Sequence, residues 1–393
     1  MGTRRKNIRR LQVTAAWPTN IAKITVEDAY KHWRGTYWRV DDQGRAFIDF
    51  DGQGNTVSEA TGYGMLISVL MDKKDDYDAL LRYYHAHGNH KTVNSSPDGF
   101  MKFKQTTNGH GVMTEAGGEG CATDAELDVA LSFLLAGQKS DFGDYYLKQG
   151  KDLCENILNF CINPDTNMPM LGDWALGETK DSIKDNDPQT QNQMQQRFPN
   201  GRKTVSRSTD WMLAHYKQFK KIDTARAQQW DKVFYACIDN YNANLGRHET
   251  TGLIADFLYY TNSSPPYVYG DPDGKVLEKW IEDGCFSYNA CRVPWKLAAF
   301  YKSLDNSSSD PDWQKVKDAA FKMKGFFEDL VLNKEQKVTA GYKLDGTPLN
   351  SYEDLCFTAP AWRLLTVLGA NDAATQVEKD MDSILLLSLL QTQ

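Results

Sequence analysis

The sequence predicts an all-helical fold, and three features of the residue pattern support that prediction. Apolar residues recur at steps of three and four over long segments, which is the spacing of a buried helix face. Strict alternation of apolar and polar residues, the pattern of a half-buried strand, is scarce. No linker rich in Pro, Gly or Ser separates the helices, so residues 1–393 are expected to form one domain, with residues 1–20 as an N-terminal extension.

Segments with the helical spacing follow one another along most of the chain. They cover residues 26–38, 58–71, 75–87, 123–136, 144–161, 210–219, 224–244, 290–304, 312–332, 354–368 and 372–390. Two long segments without this spacing lie between them. Residues 177–207 are polar and are interpreted as mostly a solvated insertion, whereas residues 262–287 mix Pro, Gly, aromatic and acidic residues and are expected to form part of a site.

The composition argues against several classes of function. The formal net charge of -7 disfavours a nucleic-acid-binding surface, although it suits a neutral or cationic ligand. The apolar runs are shorter than the roughly 18 residues that a membrane span needs. The basic start, MGTRRKNIRRLQVTAAW, lacks the apolar stretch of a secretory signal. We therefore expect neither a nucleic-acid partner nor a membrane partner.

The seven cysteines match neither a disulfide framework nor a zinc site, because their number is odd and no C-x-x-C occurs. Cys154 and Cys161 would lie roughly 10 Å apart on one helix, which is too far for a bridge. Cys285 and Cys291 are near enough in sequence for a local bridge, and the sequence leaves that pairing open. Most of the cysteines are expected to be small buried apolar residues.

The helix predicted at residues 58–71, SEATGYGMLISVLM, places Glu59 at the head of a nearly apolar segment. Ser58 is a suitable N-cap, and the apolar residues behind it follow the spacing of a buried face. A carboxylate near a core costs several kcal/mol unless it is paired. Glu59 therefore needs either a partner or a function.

A second helix of the same kind is predicted from CATDAELDVALSFLLAG, residues 121–137. Thr123 or Asp124 is a suitable cap, and the helix is apolar on nearly every side, which is typical of a helix enclosed by protein. Asp124 and Asp128 share one face. Taken alone, these acids are explained by capping and by the helix dipole.

Taken together, two interior helices that open with acids favour hydrolysis of a glycosidic bond. That reaction needs one carboxyl group to protonate the leaving oxygen and another to activate water, and apolar rings to carry the sugar faces. The chain has 10 Trp, 19 Tyr and 17 Phe to supply such rings. A His-rich metal site and a G-x-S-x-G nucleophile motif are both absent from the sequence.

Five segments together resemble glycoside hydrolase family 8. They are SEATGYGM, ATDAELDVALSFLLA, LGDWALG, STDWMLAHYKQF and YNACRVPWKLAAFY, and they occur in the family's order over roughly residues 57–368. The resemblance implies an (α/α)6 toroid of six inner and six outer helices, with the cleft at the N-termini of the inner helices. It implies an inverting hydrolase that uses neither a metal nor another cofactor, and it implies secretion. We expect the protein to be a monomer.

The resemblance assigns roles to particular residues. Glu59 falls on the family's general acid, and Asp124 on the aspartate that holds and distorts the sugar at the cleavage point. Many members have an aspartate as general base where this chain has Asn289, and a neutral amide cannot accept the proton of water. The chain resembles the subgroup that has Asn at this position and takes a glutamate from the preceding loop.

That loop, KVLEKWIEDGCFSYNACR, offers two glutamates. Glu278 is favoured because it follows an aliphatic pair and lies eleven residues before Asn289, and Glu282 is the second choice. In an inverting enzyme the acid and the base are separated by roughly 6.5–9.5 Å, which leaves room for water. If both glutamates were ordinary surface acids, Glu59 and Asp124 would have no base to work with.

The resemblance and the aromatic residues also predict substrate contacts. These are expected from Tyr63, Asp173, Trp174, Trp211, Tyr288, Asn289 and Arg292. Trp174 and Trp211 either stack on sugar rings or pack in the core. Arg292 either orders Glu59 or Asp124 through an ion pair or ties two helices together. Phe103 occupies a position where the family is expected to carry Trp, which predicts weaker stacking.

The family's substrates are β-1,4-linked polysaccharides, and the acidic net charge favours chitosan, a polycation. An endo-acting hydrolase of chitosan is therefore predicted, with an endo-β-1,4-glucanase or licheninase as the alternative. A polysaccharide lyase and a non-catalytic glycan-binding protein are the alternatives of other classes.

Overall fold

The computed structural model describes residues 25–88, 99–108, 111–117, 120–279, 281–304 and 309–380, so the predicted extension at residues 1–20 lies outside the described residues. The described part of the chain contains twelve α-helices. They are α1 (Val26–Tyr37), α2 (Ser58–Leu70), α3 (Lys74–Ala86), α4 (Thr123–Ala136), α5 (Asp144–Phe160), α6 (Pro188–Arg197), α7 (Leu213–Ile222), α8 (Ala227–Arg247), α9 (Val293–Lys302), α10 (Pro311–Leu332), α11 (Leu355–Val367) and α12 (Asn371–Asp380).

The helices form an inner and an outer layer. The helices α2, α4, α7, α9 and α11 contact one another in that order, and each is followed along the chain by an outer helix that packs against it. The inner helices α2 and α4 are buried on almost every side, as their apolar sequences predict. The outer helices carry a polar face, as in α5 and α10.

Gly62 sets the close approach of α2 to α4. A Cβ atom at this position would lie 3.1 Å from the carbonyl oxygen of Ala125 and 3.1 Å from the Cβ of Asp128. A larger residue would therefore push the two helices apart. Because of this contact, the first turns of α2 and α4, which carry Glu59 and Asp124, lie side by side.

Short antiparallel strands connect the helices. The eight strands in the described residues are β1 (Trp38–Val40), β2 (Ala46–Ile48), β3 (Asn55–Val57), β4 (Lys104–Thr107), β5 (Met113–Glu115), β6 (Val205–Arg207), β7 (Phe257–Tyr260) and β8 (Tyr269–Gly270). They pair as β1–β2, β3–β4–β5 and β6–β7–β8. The register of β6 and β7 sets Arg207 opposite Phe257.

The structure corrects two readings of the sequence at the level of elements. The helix predicted to begin at residue 210 begins at Leu213, after a 3-10 turn over Ser208–Asp210. The segment 177–207 is more than a solvated insertion, because it forms α6 and packs Met194 and Phe198 into a second, smaller hydrophobic cluster. That cluster also contains Val276 and Leu277 of the loop before Asn289.

No helix in the described ranges is both long and apolar enough to cross a lipid bilayer.

All seven cysteines lie within the described residues and are unbridged, and all but Cys356 are buried. No bond joins Cys285 and Cys291; the Cys291 thiol instead donates a hydrogen bond to the Tyr288 carbonyl oxygen at 3.3 Å.

Candidate active site

Glu59 and Asp124 lie in the first turns of adjacent inner helices. Neither helix has a side-chain cap, so the caps predicted at Ser58 and at Thr123 or Asp124 are wrong. Asp124 is buried, whereas Glu59 is partly exposed. The two carboxyl groups are thus available for interactions other than capping.

Two arginines bind Asp124. Arg207, at the end of β6, donates from Nη2 to Asp124 Oδ1 at 2.7 Å, and Arg292 Nη1 lies 3.4 Å from Asp124 Oδ2. Arg292 therefore pairs with Asp124, one of the two partners predicted for it. Arg207 was not predicted from the sequence, although it directly precedes the STDWM segment.

The surroundings shift the pKa values of the two carboxyl groups in opposite directions. Burial and the neighbouring Asp124 charge raise the pKa of Glu59 to about 7, although Arg207 and Arg292 oppose the shift. Burial also opposes ionisation of Asp124, but Arg207 and Arg292 outweigh it and hold the pKa of that carboxyl below its usual range. Glu59 can therefore carry a proton near neutral pH while Asp124 stays charged, which is the separation that acid catalysis needs.

A further buried acid holds Arg207 from the other side. Asp210 Oδ2 accepts a hydrogen bond from Arg207 Nε at 3.3 Å, and burial raises the pKa of Asp210 to about 8. The guanidinium group therefore lies between Asp124 and Asp210. Because two nitrogens of the planar Arg207 guanidinium are hydrogen-bonded, the group has little freedom to rotate.

Glu278, the favoured base, lines a groove of about 700 Å³ together with Arg207, Phe103 and Trp174. Its Oε1 lies 3.5 Å from the Nδ2 of Asn289, the amide that occupies the position of the usual base. Glu282 is exposed and does not line this groove. Of the two predicted glutamates, only Glu278 therefore lies next to other candidate site residues.

Asp256, which was not predicted, fixes the segment that carries Asn289. Its carboxylate accepts hydrogen bonds from the backbone N–H groups of Ser287, Asn289 and Ala290 and from the Asn289 side chain. Burial raises the pKa of Asp256 to about 6, although these hydrogen bonds oppose the shift. Its sequence signal was an acid inside an apolar run, LIADFLY, which is the same signal as at Glu59.

The remaining predicted contact residues surround this cluster. The Tyr63 hydroxyl lies 3.5 Å from Arg292 Nη1, and Arg292 Nη2 donates to Asn289 Oδ1 at 3.3 Å. Tyr288, next to Asn289, has its hydroxyl 3.1 Å from that of Tyr352, a half-exposed ring that was not predicted. These residues connect the Asp124 side of the site to the Glu278 side.

The two tryptophans predicted to stack on sugar differ. Trp174 lines the groove, where the guanidinium of Arg202 lies 4.4 Å from its ring centroid. Trp211 is fully buried, donates to Ser206 Oγ and packs edge-on against Tyr241, so the prediction of a sugar contact there is wrong and the alternative of core packing holds.

Asp173 and Phe103 shape the groove in different ways. Asp173 is buried and its Oδ1 accepts from the Cys121 backbone N–H at 2.8 Å, so it supports the groove wall instead of facing the groove as a contact residue. Phe103 is 36% exposed, and its carbonyl accepts the N–H of Ser58 at the start of α2. Phe103, which lines the groove, is thus bonded through its backbone to the residue that precedes Glu59.

Comparison with known proteins shows which enzymes this chain resembles. The family model described as "Glycosyl hydrolases family 8" matches residues 5–188. A beta-glucanase of Niallia circulans is 29% identical over 356 residues, covering 87% of this chain and 76% of the relative. An endoglucanase of Bacillus sp. (strain KSM-330) is 25% identical over 360 residues, covering 85% of this chain and 66% of the relative.

Solved structures share the architecture. The apo structure of a beta-1,3-1,4-glucanase from Paenibacillus sp. X4 superposes with a TM-score of 0.73 at 27% identity, covering 93% of this chain and 89% of that chain. A cold-adapted family 8 xylanase has a TM-score of 0.70 at 15% identity, covering 95% and 91% of the two chains, and supports the fold alone. The predicted (α/α)6 fold is confirmed, and the activity is that of a glycosidase. The chain is therefore similar to members of glycoside hydrolase family 8, and the family model matches slightly less than half of its length.

Proposed function

We propose that this enzyme is an inverting endo-β-glucanase that hydrolyses β-1,4-linked or mixed-linkage glucan. Glu59 is the general acid, Glu278 is the general base, and Asp124 positions and distorts the sugar at the cleavage point. The observation that carries the proposal is the location of Glu278, which lines the groove and lies 3.5 Å from the amide of Asn289.

The proposed reaction uses two proton transfers on opposite sides of the sugar. Glu59, with its pKa raised to about 7 by burial and by Asp124, donates a proton to the glycosidic oxygen as the bond to C1 breaks. Glu278 accepts a proton from the water that attacks C1 from the other face, so the configuration inverts. Asp124 remains an anion between Arg207 and Arg292, which suits a group that positions the sugar and does not donate a proton.

The proposed substrate is a neutral glucan, which was the alternative to chitosan in the sequence analysis. The groove is lined by Lys184, Arg202 and Arg207 against Glu178 and Glu278. Arg202 pairs with Glu178 and Arg207 pairs with Asp124, so Lys184 and Glu278 remain, and the lining has no excess of negative charge. A cationic polymer gains no attraction from such a lining. The relatives carry the names beta-glucanase and endoglucanase, which also favours glucan.

A reducing-sugar assay across polysaccharides tests this substrate. We expect release of reducing ends from lichenan and carboxymethylcellulose, and at least tenfold less from chitosan and xylan under the same conditions. Because the attraction of a polycation is screened by salt, the assay is run at low and high ionic strength. Turnover of chitosan that exceeds that of lichenan and falls with salt would contradict the glucan assignment.

The boundaries of the catalytic unit, its monomeric state and its secretion stay predictions. We propose that the helices from α1 to α12 form the catalytic unit, and that the enzyme acts outside the cell, since a polymeric glucan does not cross a membrane unaided.

A further inference from the structure

We propose that Asp283 is a positioning residue that sets the carboxylate of Glu278. This inference rests on the proposed function, because it concerns the group assigned there as general base. Nothing in the sequence distinguished Asp283 from the other acids of its loop.

The side chain of Asp283 holds the backbone on which Glu278 is carried. Its carboxylate accepts the N–H of Val276 at 2.9 Å, that of Leu277 at 2.9 Å and that of Glu278 at 2.7 Å. The backbone N–H of Asp283 in turn donates to the carbonyl of Gly274 at 2.9 Å. Three successive N–H groups that converge on one buried carboxylate fix the direction in which the Glu278 side chain leaves the backbone.

The segment 177–207 braces the same loop from outside. Arg197, the last residue of α6, has Nη1 4.0 Å from Asp283 Oδ2. Next to Glu278, Lys279 forms an ion pair of 2.7 Å with Asp185 of that segment. The apolar neighbours Val276 and Leu277 pack in the second cluster with Met194 and Phe198 of the same segment.

Asp283 is too deeply buried to be an ordinary surface carboxylate that faces solvent. Its side chain has no exposed surface, and a buried carboxylate is costly unless hydrogen bonds compensate. Removal of the carboxylate would leave three backbone N–H groups without their acceptor, so the loop would rearrange. A shift of about 1 Å in a reacting group is enough to cost up to about a hundredfold in rate.

The test compares Asp283→Ala and Asp283→Asn with the wild-type enzyme on lichenan. We expect Asp283→Ala to lower kcat by roughly ten- to a hundredfold with KM changed less than about twofold, and Asp283→Asn, which keeps one acceptor oxygen, to lose less. If Asp283→Ala does not fold, Asp283→Asn carries the test. A wild-type kcat in a folded Asp283 variant would overturn the inference.

Asp41→Ala is a matched control. Asp41 is also buried and also holds a turn, since its carboxylate accepts the N–H groups of Gln43 and Arg45 and the Nε of Arg45, but it does not line the groove. We expect this variant to lose thermal stability without losing kcat. An equal loss of kcat in both variants would show that the loss in Asp283→Ala comes from general destabilisation, and it would contradict the inference.

A double-mutant cycle with Glu278→Gln separates this inference from the proposed function. If Asp283 acts through Glu278, the kcat of the double variant equals that of Glu278→Gln alone within about twofold. If instead the fold losses in kcat of the two single variants multiply in the double variant, the inference is overturned. If Glu278→Gln alone keeps wild-type activity, the proposed function fails. If Glu278→Gln is inactive while Asp283→Ala keeps wild-type kcat, only the role of Asp283 fails.

Discussion

Replacement of Glu278 by glutamine is expected to lower kcat on lichenan by about 10²–10⁴, with little change in KM. Glutamine keeps the size of the side chain and its hydrogen bonding to Asn289, but a neutral amide cannot take the proton of the attacking water. Steady-state kinetics with a reducing-sugar readout measure the loss. Equal falls in kcat and kcat/KM would show that the interaction belongs to the transition state.

Glu282→Gln is the matched control for this variant. Glu282 lies in the same loop, four residues further on, but it is exposed and outside the groove lining, so we expect unchanged kinetics. In Glu278→Gly, which leaves space beside the sugar, added azide is expected to restore turnover by replacing the activated water as nucleophile. Loss of activity in Glu282→Gln together with full activity in Glu278→Gln would show that Glu282, and not Glu278, is the general base.

Replacement of Glu59 by glutamine is expected to abolish most of the activity on unmodified glucan and to remove the basic limb of the pH–rate profile. In the wild-type enzyme the acid is protonated below its pKa of about 7, so kcat/KM should fall as the pH rises through that value. The profile on lichenan between pH 4 and 9 measures this. A basic limb near pH 7 that persists in the variant would place the proton donor elsewhere.

The same variant should change the pH dependence of stability. The pKa of Glu59 is raised from 4.5 to about 7 in the folded state, so the folded enzyme binds this proton more tightly than the unfolded chain. The free energy of unfolding therefore falls as the pH rises from about 4.5 to about 7, by roughly 3 kcal/mol from this group. Glu59→Gln should match the wild type near pH 4 and be more stable at pH 8, as measured by denaturant unfolding.

Glu59 and Asp124 could be proposed as site residues from the sequence because their signal is local. Glu59 and Asp124 each stand at the head of a helix that is apolar on nearly every side, and such a helix is buried wherever it packs. An acid at its first turn must then lie inside the protein or at a cleft. Glu278 carried no such local signal and was predicted only through the resemblance to the family and the amide at Asn289.

The residues that the sequence analysis missed depend on tertiary contacts. Arg207 reaches Asp124 across 83 positions in the chain, and Asp256 reaches Asn289 across 33, so no short motif contains either pair. The helix α6 was missed because Met194 is its single buried residue, which leaves no apolar face to detect. Trp211 was placed in the cleft because an indole near a site motif suits both a sugar platform and a core, and only packing decides between them.

The expectation of chitosan rested on a quantity that does not describe the groove. The formal charge of -7 is a sum over the whole chain, whereas a polymer responds to the charges that line its groove. Lys184, Arg202 and Arg207 cannot be assigned to that lining from composition. Charge steering is therefore a property of the folded groove and not of the sequence total.

The most direct test of the central claim, that Glu278 activates water opposite the proton donor Glu59, is proton NMR of the first reducing sugar released from a β-glucan. Attack of water from the face opposite the leaving group predicts that the α-anomer appears first and then mutarotates to the equilibrium mixture. Initial release of the β-anomer would mean that a carboxylate attacks the sugar directly, and it would contradict the roles assigned to both glutamates.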